Sequence, residues 1–205
     1  MPIYCDESGG IGRGVMTLAA VSIAQEAADD ALSRFRELTG LVGELKGSRI
    51  DLDERALLFE LLGTADWHAV VGIAISALKP AQGEDRGDHD IAVYSALLDD
   101  VIASMLADHG PACTEVIIDD GRYGTGTLAL VRNSVGRLVG PLGTASLAMS
   151  HTLAGLQLAD VIANSFFNRA MVNDRQARMV AVVAPFLESG KIKLRLLAGD
   201  AEGND

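Results

Sequence analysis

Apolar and polar positions switch between two periods along this chain, and the switches divide it into elements. Residues 2–6 (Pro-Ile-Tyr-Cys-Asp) form a short strand-like run, and a Gly-rich stretch at 9–14 separates it from the apolar run 15–23. The pair predicts a hairpin with a Gly-rich turn. Helical spacing follows over 25–38, where Ala28, Leu32, Phe35 and Leu38 share a face before Thr39-Gly40 ends the helix. After the polar stretch 44–49, Asp51 or Asp53 can cap a second helix to about Leu62, with Leu57, Leu58 and Leu61 inward. Residues 67–78 are almost continuously apolar, which predicts a strand buried on both faces.

The second half alternates more regularly. Residues 79–90 read as a loop, and 91–106 as a helix with the stripe Tyr94, Leu97, Leu98, Val101 and Met105. The strand 114–120 ends in two carboxylates, Asp119 and Asp120, and a loop at 121–126 leads to a helix at 127–138. A short strand at 146–149, helices at 152–171 and 175–187, and a closing strand at 191–197 complete the pattern. An opening hairpin followed by alternating strands and helices predicts an α/β fold with a mixed sheet. The hairpin would supply antiparallel edges, and the later strands would be parallel, joined by right-handed crossovers. Residues 1–198 are expected to form a single domain, and 199–205, acidic and Gly-rich, a flexible tail. The glycines at 9–14 are not a dinucleotide fingerprint, because their spacing is wrong and they lead into a strand rather than a helix.

Composition narrows the function classes. Of 205 residues 49% are hydrophobic, enough for a sizeable core, while aromatics are only 4%. No apolar run reaches the length of a membrane span. The first residues carry no basic region and no cleavage-site pattern, so a cytoplasmic protein is expected. Cys5 and Cys113 read as buried free thiols, and His68, His89, His109 and His151 show no i, i+4 pairing of the kind zinc hydrolases use. The net charge of −11 argues against a general nucleic-acid coat. It leaves room for an enzyme that reaches phosphates through metal ions. Six basic residues (Arg169, Arg175, Arg178, Lys191, Lys193, Arg195) against Asp174 and Glu188 give 169–195 a local excess of +4, a candidate phosphate path. The Ala- and Gly-rich helices could also pack against a second copy, so a homo-oligomer is compatible with the sequence.

The helix 152–171 is mostly apolar, yet Gln157, Asp160 and Asn164 stand at i, i+3 and i+7 on one stripe. A carboxylate there is costly unless something charged meets it. Asp6 ends the first strand, and Asp119 and Asp120 end a later one. Sites in open α/β sheets form beyond the carboxyl ends of strands. Carboxylates gathered there take up protons unless cations bind, and hard oxygen donors suit Mg²⁺ or Mn²⁺. Each acid also has a plainer reading. Asp6 could cap a turn, Asp160 could pair with an arginine, and strand alternation lets only one of Asp119 and Asp120 face a site.

Three motifs carry a family resemblance: Tyr4-Cys5-Asp6-Glu7-Ser8-Gly9, Glu44-Leu45-Lys46-Gly47-Ser48 and Gly155-Leu156-Gln157-Leu158-Ala159-Asp160. In these the chain resembles the family catalogued as domain of unknown function 3800, itself similar to ribonuclease H in fold. The resemblance implies a ribonuclease-H-like metal-dependent nuclease acting on RNA or DNA through two metal ions. Asp6, Asp119 and Asp160 would be its metal ligands, with Asp120 the alternative to Asp119. Glu44 matches a further catalytic acid, and Lys46 a phosphate contact. Glu7, Ser8, Gln157 and Asn164 would support the site, Glu7 pointing away from Asp6 if the strand continues. A non-catalytic binding or regulatory module on the same fold is the competing expectation. A small-molecule phosphatase using residues 118–121 ranks below both.

Overall fold

The computed structural model describes residues 1–75, 85–109 and 114–197. Its six strands, β1 (Ile3–Gly10), β2 (Val15–Ile23), β3 (Trp67–Ile75), β4 (Glu115–Asp119), β5 (Thr144–Ala148) and β6 (Ile192–Leu197), form one sheet in the order β5-β4-β1-β2-β3-β6. β2 is antiparallel to both β1 and β3, whereas β4, β5 and β6 lie parallel to β1, β4 and β3. β2 therefore runs against the other five strands. The mixed sheet is the predicted one, but the hairpin lies at its centre and not at an edge. The reason is burial: every residue of β2 is buried, and such a strand has no face to offer solvent. The edges fall to β5 and β6, where most residues are partly or fully exposed.

β1 also runs four residues past its expected end. Ser8, Gly9 and Gly10 stay in register with Thr17, Met16 and Val15, and the turn is a 3-10 turn over Ile11–Arg13. Gly9 answers a packing demand as well as a backbone one. Its φ is +85°, and a Cβ there would lie 2.6 Å from the Phe167 ring.

The helices are α1 (Gln25–Thr39), α2 (Leu52–Gly63), α3 (Arg86–His109), α4 (Thr125–Val139), α5 (Ala154–Ala170) and α6 (Gln176–Glu188). Asp51 is the cap of α2. Its carboxylate accepts from Asp53 N and Glu54 N, and Glu54 reaches back to Asp51 N. Leu58 and Leu62 of α2 are buried, with Leu57 and Leu61 partly so, but Leu38 of α1, expected inward, is exposed. α3 begins before the expected position, so 86–90 are helical; the Asp85 carboxylate accepts from Gly87 N and Asp88 N and starts the helix there. The remainder of that predicted loop, 79–84, lies outside the described residues. So do 76–78 of the predicted third strand, Cys113, and the tail 199–205. Cys5 is a buried free thiol, as its apolar setting predicts.

Strand alternation sorts the core into two faces. Tyr4, Ala19, Val71 and Ile117 pack with α1, α2, α5 and α6, while Cys5, Leu18, Val70 and Ile118 pack with α3 and α4. α5 lies at the centre of the first layer, against β1 and β2 on one side and α1 and α6 on the other. Thirteen of its 17 residues are buried. No helix among the described residues is long and apolar enough to cross a membrane.

α5 approaches the sheet closely at Gly155, where a Cβ would meet the Tyr4 ring at 2.3 Å. Tyr4 cannot easily yield, because its ring is 1% exposed and its hydroxyl donates to Gln25 Oε1. Gly155→Ala should therefore destabilise by about 1–3 kcal/mol through overpacking, despite a helix-propensity gain of up to about 1 kcal/mol. An unchanged urea midpoint would refute this contact.

Candidate functional site

The polar stripe of α5 faces the segment 44–48 and the start of the chain after β5. Gln157 Oε1 accepts from Leu45 N at 2.8 Å and from Arg36 Nη2 at 3.4 Å, while its Nε2 donates to Ser150 O at 3.1 Å. Asp160 Oδ2 accepts from Gly47 N at 2.9 Å. Asn164 donates to Ser8 Oγ at 3.0 Å and accepts from Arg55 Nη2 at 3.0 Å. The segment reaches this close because residue 47 is glycine; a Cβ there would stand 2.7 Å from Asn164 Cβ.

β1 and β4 bring two more carboxylates to the same layer. Cys5 pairs with Ile118 in the parallel ladder, so Asp6 and Asp119 are the next residues along their strands, on the face that carries Tyr4 and Ile117. Both are nearly out of solvent, at 5% and 7% exposure. Asp119 is well satisfied: Oδ1 accepts from Ser150 N at 3.0 Å and Oδ2 from Gly121 N at 3.1 Å. Asp6 is not. Its Oδ1 accepts from Glu7 N at 2.7 Å, but its buried Oδ2 has no hydrogen-bond partner. Burial pushes the Asp6 carboxyl well above the ordinary range, and the charges of Glu7, Asp160 and Asp119 push the same way against Lys46. Asp160 is raised as well, first by burial, with Gly47 N, Lys46 and Arg55 opposing.

Lys46 and Glu44 complete this group. Lys46 Nζ is 3.1 Å from Glu44 Oε1 and donates to Ser150 Oγ at 2.9 Å. Ser150 Oγ in turn donates to Glu44. Burial works against both charges, but the hydrogen bonds of Ser150 and Lys46 hold Glu44 below the ordinary carboxylate range, and Asp160, Glu44 and Asp6 raise Lys46. Ser8 shares the Asp6 face through its bond to Asn164.

The other sequence candidates lie elsewhere. Asp120 is half-buried and gives its N–H to Ala148 O; it is not among the charges acting most on Asp6, Glu7 or Asp160. Glu7 faces the α3 layer, as alternation requires. There it lies 3.5 Å from Arg122 Nη1, and Arg122 Nη2 also meets Asp90 Oδ2 at 2.8 Å. Burial raises the Glu7 carboxyl to about 7 against the pull of Arg122. Half of the basic segment 169–195 is engaged away from the site. Lys193 pairs with Asp108 and Arg195 with Asp100, both on α3, and Lys191 donates to Ala65 O.

Two site residues escaped sequence reasoning. Arg55, 2% exposed, donates to Gly47 O, Val161 O, Ser165 Oγ and Asn164 Oδ1, and burial lowers its guanidinium to about 10. The arginine expected near Asp160 is thus present, acting on it by charge while its hydrogen bonds go to neighbours. Nothing in the α2 pattern marked it: it is one of four charged residues on the helix, and the spacing to Leu58, Phe59 and Leu62 is what puts it on the buried face. Ser150 bridges Asp119, Glu44, Lys46 and Gln157, and its one signal was its place just after the short strand beside β4. Among the described residues, no three or more His, Cys, Asp or Glu side chains stand close enough together to form a ready-made metal cage.

The buried charge of Asp6 has a consequence for stability. A carboxyl raised in the folded state is neutral in both states below about pH 4. Above that, stability falls as pH rises through the raised folded value, because the unfolded chain ionises first. Asp6→Asn keeps the Oδ1 acceptor and removes the charge. In chelator it should match the parent at pH 4 and exceed it at pH 8 by at least about 1 kcal/mol, roughly 2–4 °C in Tm. Melts that differ equally at both pH values would refute the assignment.

No family model matches the chain, and no curated protein matches it. Among solved structures it is similar to one described as the structure of the PCNA:RNase HII complex from Archaeoglobus fulgidus, with 12% identity, 94% of this chain and 89% of that chain covered, and a TM-score of 0.51. At that identity the likeness concerns the fold, and the mixed sheet with its packed helices is ribonuclease-H-like.

Proposed function

We propose that this chain is a metal-dependent nuclease that hydrolyses phosphodiester bonds in RNA or DNA, with Asp6, Asp119 and Asp160 as its acidic centre. The observation that carries the reading is the buried, unpartnered Oδ2 of Asp6 within β1, on which the charges of Asp119, at the end of β4, and Asp160, on α5, both act. A lone pair in that position costs stability unless a cation or proton meets it. The ribonuclease-H-like fold supports the same reading by analogy. The three motifs of the domain of unknown function 3800 family meet at this place, and we assign the chain to that family on them.

The donor set fits Mg²⁺ or Mn²⁺. It consists of the carboxylate oxygens of Asp6, Asp119 and Asp160, hard donors of the kind these ions take. The absence of a three-carboxylate cage is compatible with such ions, which keep several waters and use one or two carboxylates plus substrate phosphate. Asp6 and Asp160 would hold the ion, with Asp119 positioned by Ser150 beside them. Bound there, it would supply an activated water and offset charge on the leaving oxygen. Lys46, on its short tether to Glu44, would meet a phosphate oxygen. Gly47 N fixes Asp160, and the buried α5 behind it keeps the group from shifting.

A non-catalytic module has one observation in its favour: Lys46 already offsets part of the acidic charge. The two readings separate in one assay. The purified chain is incubated with single- and double-stranded RNA and DNA in Mg²⁺, Mn²⁺ or chelator. Cleavage should require the metal and fall about a hundredfold or more in Asp6→Asn and Asp160→Asn. Cleavage that survives chelator or both substitutions would overturn the site. Binding without turnover in every metal would favour the module.

A further inference from the structure

Lys46 is the charge in this group that a cation-binding centre does not need. Its ammonium is held in place, with Glu44 Oε1 at 3.1 Å and Ser150 Oγ at 2.9 Å, and the side chain is only 26% exposed. Both flanks of that position are fixed to the acids. Gly47, the next residue, donates to Asp160 Oδ2 at 2.9 Å, and Ser150 N donates to Asp119 Oδ1 at 3.0 Å. The ammonium is thereby tethered beside the segment and the serine that bind Asp160 and Asp119, and its attraction acts on Asp160 and Asp6. Ser150 is suited to hold it, because one hydroxyl accepts from Lys46 while donating to Glu44. Among the described residues, Arg55 also acts on Asp160 by charge but spends its donors on Gly47, Val161, Asn164 and Ser165, and Arg122 lies on the other face of the sheet.

We propose that Lys46 is a tethered counter-ion, which holds the metal-free acids together and competes with the divalent cation for them. The inference rests on the metal-site reading above. A positive charge that acts on the same carboxylates as a divalent ion repels that ion, the more so the less water screens the two. The same charge stabilises the chain when no metal is bound. Lys46 thereby sets the metal concentration at which the centre fills.

The two effects have opposite signs, which separates this role from a merely structural one. Lys46→Met keeps the aliphatic stem and removes the charge, Lys46→Arg keeps a charge, and Ser150→Ala removes one tether while leaving the backbone bond to Asp119. Mn²⁺ affinity is measured by calorimetry on each variant, with melts in chelator and in Mn²⁺. Lys46→Met should melt lower than the parent in chelator at pH 8, yet bind Mn²⁺ about tenfold or more tightly. Lys46→Arg should stay near the parent, and Ser150→Ala should fall between. If Lys46→Met binds Mn²⁺ no more tightly than the parent, the counter-ion proposal is overturned while the metal site stands. If neither parent nor variant binds Mn²⁺, both fall. Should Lys46→Met fail to fold, Ser150→Ala decides, and parental Mn²⁺ affinity in that variant overturns the proposal.

Discussion

A helix with no solvent face cannot leave its polar side chains to water, and α5 is such a helix. It is enclosed by the sheet, α1 and α6, yet it carries Gln157, Asp160, Asn164 and Ser165. Each needs an internal partner, since an unmet buried polar group costs about 1–3 kcal/mol. Most partners come from far along the chain, Leu45, Gly47, Ser8 and Arg55, and Ser150 comes from the turn just before the helix. Satisfying the helix therefore dictates where 44–48 runs and where the chain turns after β5. Lys46 and Glu44 reach the acids as a consequence, because their backbone neighbours are fixed by Gln157 and Asp160.

The sheet adds a second constraint through its period of two. Asp6 and Glu7 are adjacent in sequence and face opposite layers. Glu7 meets Arg122, which Asp90 and Gly9 O hold in place. Asp6 has one hydrogen bond, from the Glu7 N–H, and the repulsion of Glu7, Asp160 and Asp119 opposes the attraction of Lys46. One strand thus carries a carboxylate with a matched cation and another with an open lone pair. Removing Arg122 would leave Glu7 a buried unpaired charge, the situation that Asp6 already occupies. The difference between these two acids, and not acidity in itself, singles out the Asp6 side of the sheet.

Local periodicity carried much of this information. The alternation of β1 told Asp6 from Glu7, and the same rule at the end of β4 allowed only one of Asp119 and Asp120 to face the site without saying which. The i, i+3, i+7 spacing placed Gln157, Asp160 and Asn164 on one stripe before any partner was known. What periodicity could not convey was long-range register. The hairpin was assigned to the edges because nothing local says that β3 and β6 add beyond β2. Gly9 and Gly10 were read as turn residues because glycine serves turns and close packing alike, and only the position of Phe167 distinguishes the two. Arg55 and Ser150 were missed for the same reason: each is ordinary in its own element and acquires its role from residues about 30 to 110 positions away.

The alternatives for Asp160, ion-pair partner or ligand, are not exclusive once charges are followed through the site. Arg55 and Lys46 both lower the cost of its ionisation, but neither fills its coordination: the hydrogen bond to Oδ2 comes from Gly47 N. A backbone N–H holds a carboxylate in place while taking only one of its roughly four lone-pair directions. A fully paired Asp160 would have been locked by a bidentate arginine. Instead the guanidinium is turned towards Asn164 and Ser165, which keeps its charge close and its donors elsewhere. That arrangement offsets part of the cost of burying the carboxylate, whose pKa burial still raises, and leaves lone-pair directions open.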